Sequence, residues 1–180
     1  LSLTYGDSQR QTALVEIAAP TAIRTQLRPG DLGAVAALHG REYSEEYGLD
    51  ELFEAHVARG LSEFALALAR DPEAGRLWLA EDGDELAGCV GITRATSDHG
   101  RLRWFLVGRR ARGQGLGRRL LDEALAYARE RFASLELETF SELTTAARLY
   151  REAGFVVRDA APQSDWGRRI DLQHYELRIR

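Results

Sequence analysis

The 180-residue chain has no lysine, no methionine and no asparagine, and Cys89 is its single cysteine. Without lysine there is no lysine-bearing phosphate loop, no Schiff base and no Ser–Lys catalytic pair. One cysteine excludes an internal disulfide and a cysteine-rich zinc site. A cytoplasmic location is the default expectation. The codons of the three missing residue types are rich in A and T, as a GC-rich genome would disfavour. The missing methionine leads to the expectation that Leu1 is not a native start. No apolar run approaches the length of a transmembrane helix, and no stretch resembles a secretory leader. Positive charge is not in excess. The 24 basic residues, all arginine, stand against 28 acidic ones, for a net charge of −4 and a pI near 5.6. Nucleic acid and anionic membrane are therefore not expected partners.

What is present fits one domain, with 44% hydrophobic residues and a length sufficient to bury a core unaided. Residues 1–21 match nothing downstream and read as an N-terminal extension. Its apolar patch Ala13–Ala19 could be a strand closed by Pro20. The domain proper is expected over 22–180. Asp31 can cap a helix to about Gly40, after the Pro29-Gly30 turn. A second helical pattern runs over about Leu49–Arg70 and is stopped by Asp71-Pro72. Strands are expected at Arg76–Glu81 and Glu85–Arg94, joined by the Asp82-Gly83-Asp84 hairpin signal, and at Arg101–Val107. An amphipathic helix follows over Gly115–Phe132, with Leu116, Leu120, Leu121, Ala124, Leu125 and Ala128 on one face. Strand Leu135–Thr139, helix Glu142–Ala153, strand Phe155–Val157 and a last strand near Ile170–Ile179 complete the order. Such an order gives a mixed α/β fold, a mixed sheet with helices on its faces.

The chemistry is concentrated in Arg101–Arg118, RLRWFLVGRRARGQGLGR. A strand runs into an Arg/Gly loop, and the loop runs into a helix. Gly113, Gly115 and Gly117 let the backbone approach a ligand closely. The first helical turn presents unpaired N–H groups and the positive end of the helix dipole, a site for phosphate. Arg109, Arg110, Arg112, Arg118 and Arg119 surround it with charge. A dinucleotide site would need G-x-G-x-x-G. Both registers fail, with Arg118 or Leu120 in the last position, although Glu136 and Glu138 lie where a ribose-binding acid would. A glycine-rich turn beside solvated arginines is the plainer alternative.

Arg112-Gly113-Gln114-Gly115-Leu116-Gly117 resembles the R/Q-x-x-G-x-G/A signature of the GNAT-type N-acetyltransferases. The similarity extends over about 22–180. It takes in IRTQLRPGDLGAVAALH, GCVGI, and LELETFSELTTAARLYREAGF, which is similar to the family element A-x-x-L-Y-x-x-x-G-F through Ala146, Leu149, Tyr150, Gly154 and Phe155. Segments 28–60 and 139–178 also resemble the acetyltransferase half of bacterial proteins that fuse a MarR-type winged helix to such a domain. Residues 1–20 are then the edge of such a helix domain or an unrelated segment.

The resemblance implies a GNAT fold: a twisted, mostly antiparallel sheet in which strand Arg101–Val107 splays from its parallel neighbour Leu135–Thr139. Acetyl-CoA is the implied co-substrate, with no metal. Its pantetheine arm would pair with backbone at Phe105, Leu106 and Val107. Its pyrophosphate would sit over Arg112, Gly113, Gln114, Gly115, Leu116, Gly117 and Arg118. An amine of a small molecule or peptide would attack the thioester directly, so one group must accept its proton and another must protonate the leaving sulfur. Tyr150 matches the family's tyrosine acid, and positioning the sulfur is its alternative role. Glu138 is the candidate base, with a solvated strand-end carboxylate as the alternative; Glu136 shares its face. Where many relatives carry an asparagine that contacts CoA, this chain has Phe140 or Leu143. The substrate wall is expected in Arg41–Asp50, between the first two helices, through Tyr43, Glu46 and Tyr47, with Trp104 also on the acceptor side. Acids and rings there would hold a cationic amine, or form a solvated acidic helix end.

His39, His56, His99 and His174 lack metal spacing and read as core or surface residues, with His56 packed. Cys89 reads as a small core residue. The expected function is acetyl transfer to a primary amine. The alternative is a non-catalytic acyl-CoA sensor. The resemblance also allows a homodimer through the last strands.

Overall fold

The computed structural model describes residues 21–180, so the extension and its expected strand at Ala13–Ala19 lie outside the described residues. The elements are β1 (Ala22–Arg24), α1 (Asp31–Tyr47), α2 (Glu51–Arg70), β2 (Gly75–Asp82), β3 (Glu85–Arg94), β4 (His99–Val107), α3 (Leu116–Arg131), β5 (Ser134–Phe140), α4 (Thr144–Glu152), β6 (Val156–Gln163) and β7 (Ile170–Arg178). The strands form one sheet in the order β1-β2-β3-β4-β5-β7-β6. All neighbours are antiparallel except β4 and β5. This is the mixed, mostly antiparallel sheet expected from the sequence, with its parallel pair at β4 and β5.

Local chemistry accounts for most of the boundaries. Gly83 turns the β2–β3 hairpin at φ 60°. Asp50 caps α2 by accepting a hydrogen bond from the Leu52 N–H at 3.0 Å. Gly48 ends α1 in the left-handed conformation that glycine adopts without strain.

Four expectations need adjustment. Asp31 is the first residue of α1 rather than its cap; Gly30 precedes it, and the Asp31 carboxylate is taken by Arg24 and the Arg28 N–H. Helix α1 does not stop near Gly40 but continues to Tyr47, so most of the expected Arg41–Asp50 wall is helix. Strand β6 extends to Gln163, well beyond Val157, as an almost wholly exposed sheet edge. Leu52 and Leu66, two leucines within the helical pattern expected over Leu49–Arg70, do not join its buried side: they are 55% and 58% exposed, on the outer face of α2.

The sheet divides the core in two. Helices α3 and α4 cover one face, where Leu120, Leu121, Ala124, Leu125 and Ala128 of α3 meet Val90, Ile92, Leu102, Leu135 and Leu137 of the strands. Helices α1 and α2 cover the other, where Val35, Leu38, Val57, Leu61 and Phe64 meet Leu77, Leu79, Cys89, Leu106 and Phe140. Each such Leu or Phe withdrawn from water contributes roughly 1.5–3 kcal/mol before the entropy of folding is subtracted.

The feature that positions the site is the β4–β5 joint. The two strands pair only through His99–Ser134, Gly100–Leu135 and Arg101–Glu136. Beyond Arg101 they separate. Strand β5 remains paired with β7 as far as Phe140, and β4 remains paired with β3 as far as Val107.

Candidate active site

A cleft of about 750 Å³ fills the opening between the parted strands. Its walls are the β4 segment up to Val107, the end of β5, the loop before α3, the start of α4 and the inner faces of α1 and α2. Three regions can be distinguished along it.

At the loop end, Gly113 and Gly115 have φ values of 78° and 76°, and no atom lies within 4 Å of where a Cβ would be. The chain therefore turns here with open space above it. Gly115 is the residue before the first turn of α3, whose leading N–H groups have no helical acceptors. Gly117 lies deeper. A Cβ there would touch Leu149, Phe105 and Val107 at 3.5–3.6 Å, so any larger side chain would enter the floor of the cleft.

The loop arginines divide into two sets. Arg112 donates Nε–H to the Val107 carbonyl at 2.9 Å and Nη1–H to Glu46 at 2.8 Å. Glu42 is buried, accepts from the Arg109 backbone N–H at 3.2 Å, and sits 3.4 Å from Arg112 Nη2. Arg109 also pairs with Glu45. The Arg112 guanidinium holds the Glu46 carboxyl below the usual carboxylate range. The acids of α1 thus grip the loop, and Glu46 is turned to Arg112 rather than facing the cleft. Arg110 is exposed beside Glu85, while Arg118 stands at the cleft and is paired with Glu152.

In the middle, β4 carries a bulge. Cys89 pairs with Leu106 and Gly91 with Arg103, so Val90 alone opposes both Trp104 and Phe105. Trp104 takes φ 51°, the only positive φ outside glycine among the described residues. For an indole-bearing residue this conformation costs on the order of 1–2 kcal/mol. The Cys89 thiol donates to the Trp104 carbonyl at 3.1 Å, and burial pushes that thiol up to about 12. Gly91 makes room for the ring, since a Cβ there would lie 2.6 Å from it. Tyr150 is buried on the cleft wall, its ring centroid 5.8 Å from that of Phe105. Burial drives its phenol well above the ordinary tyrosine value, so the hydroxyl keeps its proton.

The far end is aromatic. Tyr47 meets Phe140 edge to face at 5.2 Å, and Phe53 meets Trp166 at 5.1 Å. The loop before β7 brings Trp166 there, held by a 3.2 Å bond from the Asp50 N–H to the Trp166 carbonyl. Tyr43 lies behind this wall, stacked between His39 and Phe53. His39 is buried, its Nδ1 2.9 Å from the Val35 carbonyl, and burial lowers it to about 4. Glu138 is half-exposed at the mouth, 3.5 Å from His174 Nδ1.

Of the residues singled out in the sequence, Tyr150, Glu138, Phe105, Leu106, Val107, Arg112, Gly113, Gly115, Leu116, Gly117, Arg118, Tyr43, Tyr47 and Trp104 all line this one cleft. Gln114 and Glu46 do not. Glu136 leaves the candidates for another reason: it is bound by Arg101 Nε at 2.6 Å and His99 Nε2 at 3.1 Å at the closed end of the joint. His56 is half-buried, packed against Trp166 at 5.3 Å between ring centroids, and lines the cleft. Phe140 and Leu143, the places at which the resemblance leads one to expect an asparagine, both reach the cleft but offer no side-chain amide. Phe53, Arg103, Thr145 and Trp166 also line the cleft, without any local signal that marks them as site residues. Trp166 stands in a polar loop with no periodicity, and Arg103 alternates with its strand neighbours as any solvent-facing arginine would. Among the described residues no group of His, Cys, Asp or Glu has the arrangement to hold a metal ion. No helix described is long and apolar enough to cross a membrane.

The model of the acetyltransferase (GNAT) family matches residues 34–155. Solved structures share the fold at low identity. A GNAT-family protein from Desulfovibrio desulfuricans is 23% identical with a TM-score of 0.69, covering 89% of this chain and 99% of its own. The yncA protein of Salmonella typhimurium, solved with its cofactor acetyl-CoA, is 20% identical with a TM-score of 0.66, covering 89% and 94%. Spermidine N-acetyltransferase from Vibrio cholerae, in complex with CoA and spermine, is 22% identical with a TM-score of 0.65, covering 88% and 95%. No curated protein matches the chain by sequence.

Proposed function

The chain belongs to the acetyltransferase (GNAT) family, and from that premise we propose that it binds acetyl-CoA between β4 and β5 and moves the acetyl group directly to a primary amine. The observation that carries this reading is the parting of the two strands after Arg101 and Glu136. It leaves the edge of β4 free on the β5 side, with its backbone groups open to an extended, amide-bearing arm such as pantetheine. The arm would run along Phe105, Leu106 and Val107. The pyrophosphate would then meet the N–H groups of Gly113–Arg118, with Arg112 and Arg118 adding charge.

In the reaction, the amine arrives as an ammonium and first gives one proton to Glu138 or to a water on it. The free nitrogen attacks the thioester carbonyl, the C–N bond forms, and the C–S bond breaks. Tyr150 protonates the departing thiolate, and the second amine proton restores the phenol. Products are the acetamide, CoA thiol and one proton. Support for Tyr150 as the acid is its raised phenol pKa, which keeps the donor loaded. Support for Glu138 as the base is its half-exposed place at the mouth, from which a proton can leave to solvent.

Calorimetric titration of the chain with acetyl-CoA, with NAD as control, tests the first half of the proposal. Saturable acetyl-CoA binding without NAD binding is expected; no acetyl-CoA binding would overturn the reading. Thiol release across a panel of amines tests the second half.

A further inference from the structure

Among the described residues, the arginines around the cleft mouth are nearly all matched to carboxylates. Arg101 is bound to Glu136, Arg112 to Glu46, Arg118 to Glu152, and Arg168 to Glu142. Arg103 is different. It is half-buried, it lines the cleft, and no described carboxylate lies within ion-pair distance of it. Among the charges acting on it, Arg101 and Arg59 disfavour its own charge, while Glu63 and Glu138 favour it. Burial without a partner pushes its guanidinium below the usual arginine value.

The bulge at Trp104 creates this placement. Two successive side chains of β4 come to the α2 face, and the guanidinium carbon rests 4.5 Å from the centroid of the Trp104 ring. On its other side the guanidinium occupies the space left by Gly60 of α2. A Cβ at Gly60 would collide with Nη2 and lie 3.2 Å from Cζ. Arg103 is thus held between an indole and a bare helix backbone, at the edge where the cleft meets the neighbouring hollow beside Gly60 and Glu63. Removing a cation from water without an anion is costly, and a bidentate carboxylate offsets that cost well.

We propose that Arg103 receives a carboxylate of the acceptor, so that the acceptor is an amine that also bears a carboxylate, of the amino-acid class. This rests on the acetyl-transfer reading above and deepens it. Arg103 on β4 and Glu138 on β5 face each other across the opening with opposite charge, as a zwitterion requires. The carboxylate goes to Arg103 and the ammonium to Glu138. Phe53, Val57 and Trp166 form the apolar wall for the rest of the molecule. A polyamine would instead bring a second cation towards Arg103, Arg101 and Arg59.

The test uses acceptor pairs that differ by one group. Each common α-amino acid is compared with its decarboxylated amine, with spermidine alongside, reading thiol release from acetyl-CoA. The amino-acid member of at least one pair should be favoured by roughly tenfold or more in kcat/KM, as one charge-assisted contact would give. Arg103→Gln should raise KM for that amino acid by about the same factor, more than it changes kcat, and should abolish the preference over the decarboxylated partner. Gly60→Ala keeps the charge and favours the helix but displaces the guanidinium; it should raise the same KM. Equal or better use of the decarboxylated amines, or equal losses on both members in Arg103→Gln, would overturn the assignment. So would a protein that binds acetyl-CoA yet uses no carboxylate-bearing amine. Absence of acetyl-CoA binding in the unaltered chain is a separate failure, of the acetyl-transfer reading itself.

Discussion

Tyr150 and Cys89 are both buried, and burial raises the pKa of both, yet the consequences differ. Tyr150 lines the cleft, so a retained proton is available to a leaving group. Tyr150→Phe removes that proton and little volume. A general acid contributes typically 10²–10⁴-fold. We expect kcat to fall by about that range while the dissociation constant for acetyl-CoA, measured calorimetrically, changes less than about threefold. Cys89 faces the strand carbonyl of Trp104 with its proton committed there. A thiol reagent should leave the folded protein unlabelled near neutral pH and label one site per chain once urea unfolds it. Rapid labelling of the native protein would show that Cys89 is not held as described.

His39 carries a pH dependence whose sign follows from burial. Its folded value, about 4, lies below the ordinary 6.5. The unfolded chain therefore takes up the proton first as pH falls. Stability is complete above about 6.5 and is lost as pH drops towards 4, by roughly 2 kcal/mol between pH 7 and pH 5. Urea unfolding at those two pH values should show this loss in the native chain. His39→Gln should show it reduced by about that amount. An unchanged pH dependence in the variant would place the titration elsewhere.

At the scale of elements, the tie between α1 and the loop before α3 decides how the loop is held. Glu42 is buried and serves both the Arg109 amide and Arg112. Its arginine partners are 47% and 41% exposed, so the cost of breaking the tie falls short of a fully buried pair. Glu42→Ala should cost about 1–2 kcal/mol in urea unfolding and should weaken acetyl-CoA binding, because the glycine turn loses its support. Unaltered acetyl-CoA affinity in that variant would mean that the loop keeps its shape without α1.

The same tie explains what the sequence could and could not reveal. The hairpin at Asp82-Gly83-Asp84, the amphipathic α3 and the glycine loop were legible because each depends on neighbours a few residues away. The course of α1 beyond Gly40 was not. Its acids, Glu42, Glu45 and Glu46, read as a solvated end, and their reason lies more than sixty residues on, at Arg109 and Arg112. The length of strand β6 leaves no local mark, because an exposed edge strand has no alternation of apolar and polar residues to betray it. Trp166 and Arg103 join the site only through tertiary contacts, with Asp50 in one case and Gly60 in the other.

At the scale of the molecule, the absence of lysine acquires a chemical meaning beside a thioester. Apart from four histidines, every basic side chain here is a guanidinium, protonated at any accessible pH and therefore a poor acyl acceptor. Cys89, the one thiol, is buried. Prolonged incubation with excess acetyl-CoA should leave the intact mass unchanged apart from the α-amino terminus. Multiple acetyl additions would contradict this.

The β4–β5 joint has a mechanical consequence as well. Across its middle the sheet is stitched by only three residue pairs. Backbone amides of β4 that face the opening have no strand partner and should exchange with solvent readily, while those of β2 and β3 exchange slowly. If an extended arm lies in the opening, it completes the lattice of hydrogen bonds from one edge of the molecule to the other. Deuterium uptake along Phe105–Val107 should then slow sharply when acetyl-CoA is added, and recover each time CoA departs. The continuity of the sheet would in that case alternate with turnover, closed while the protein is loaded and interrupted between cycles.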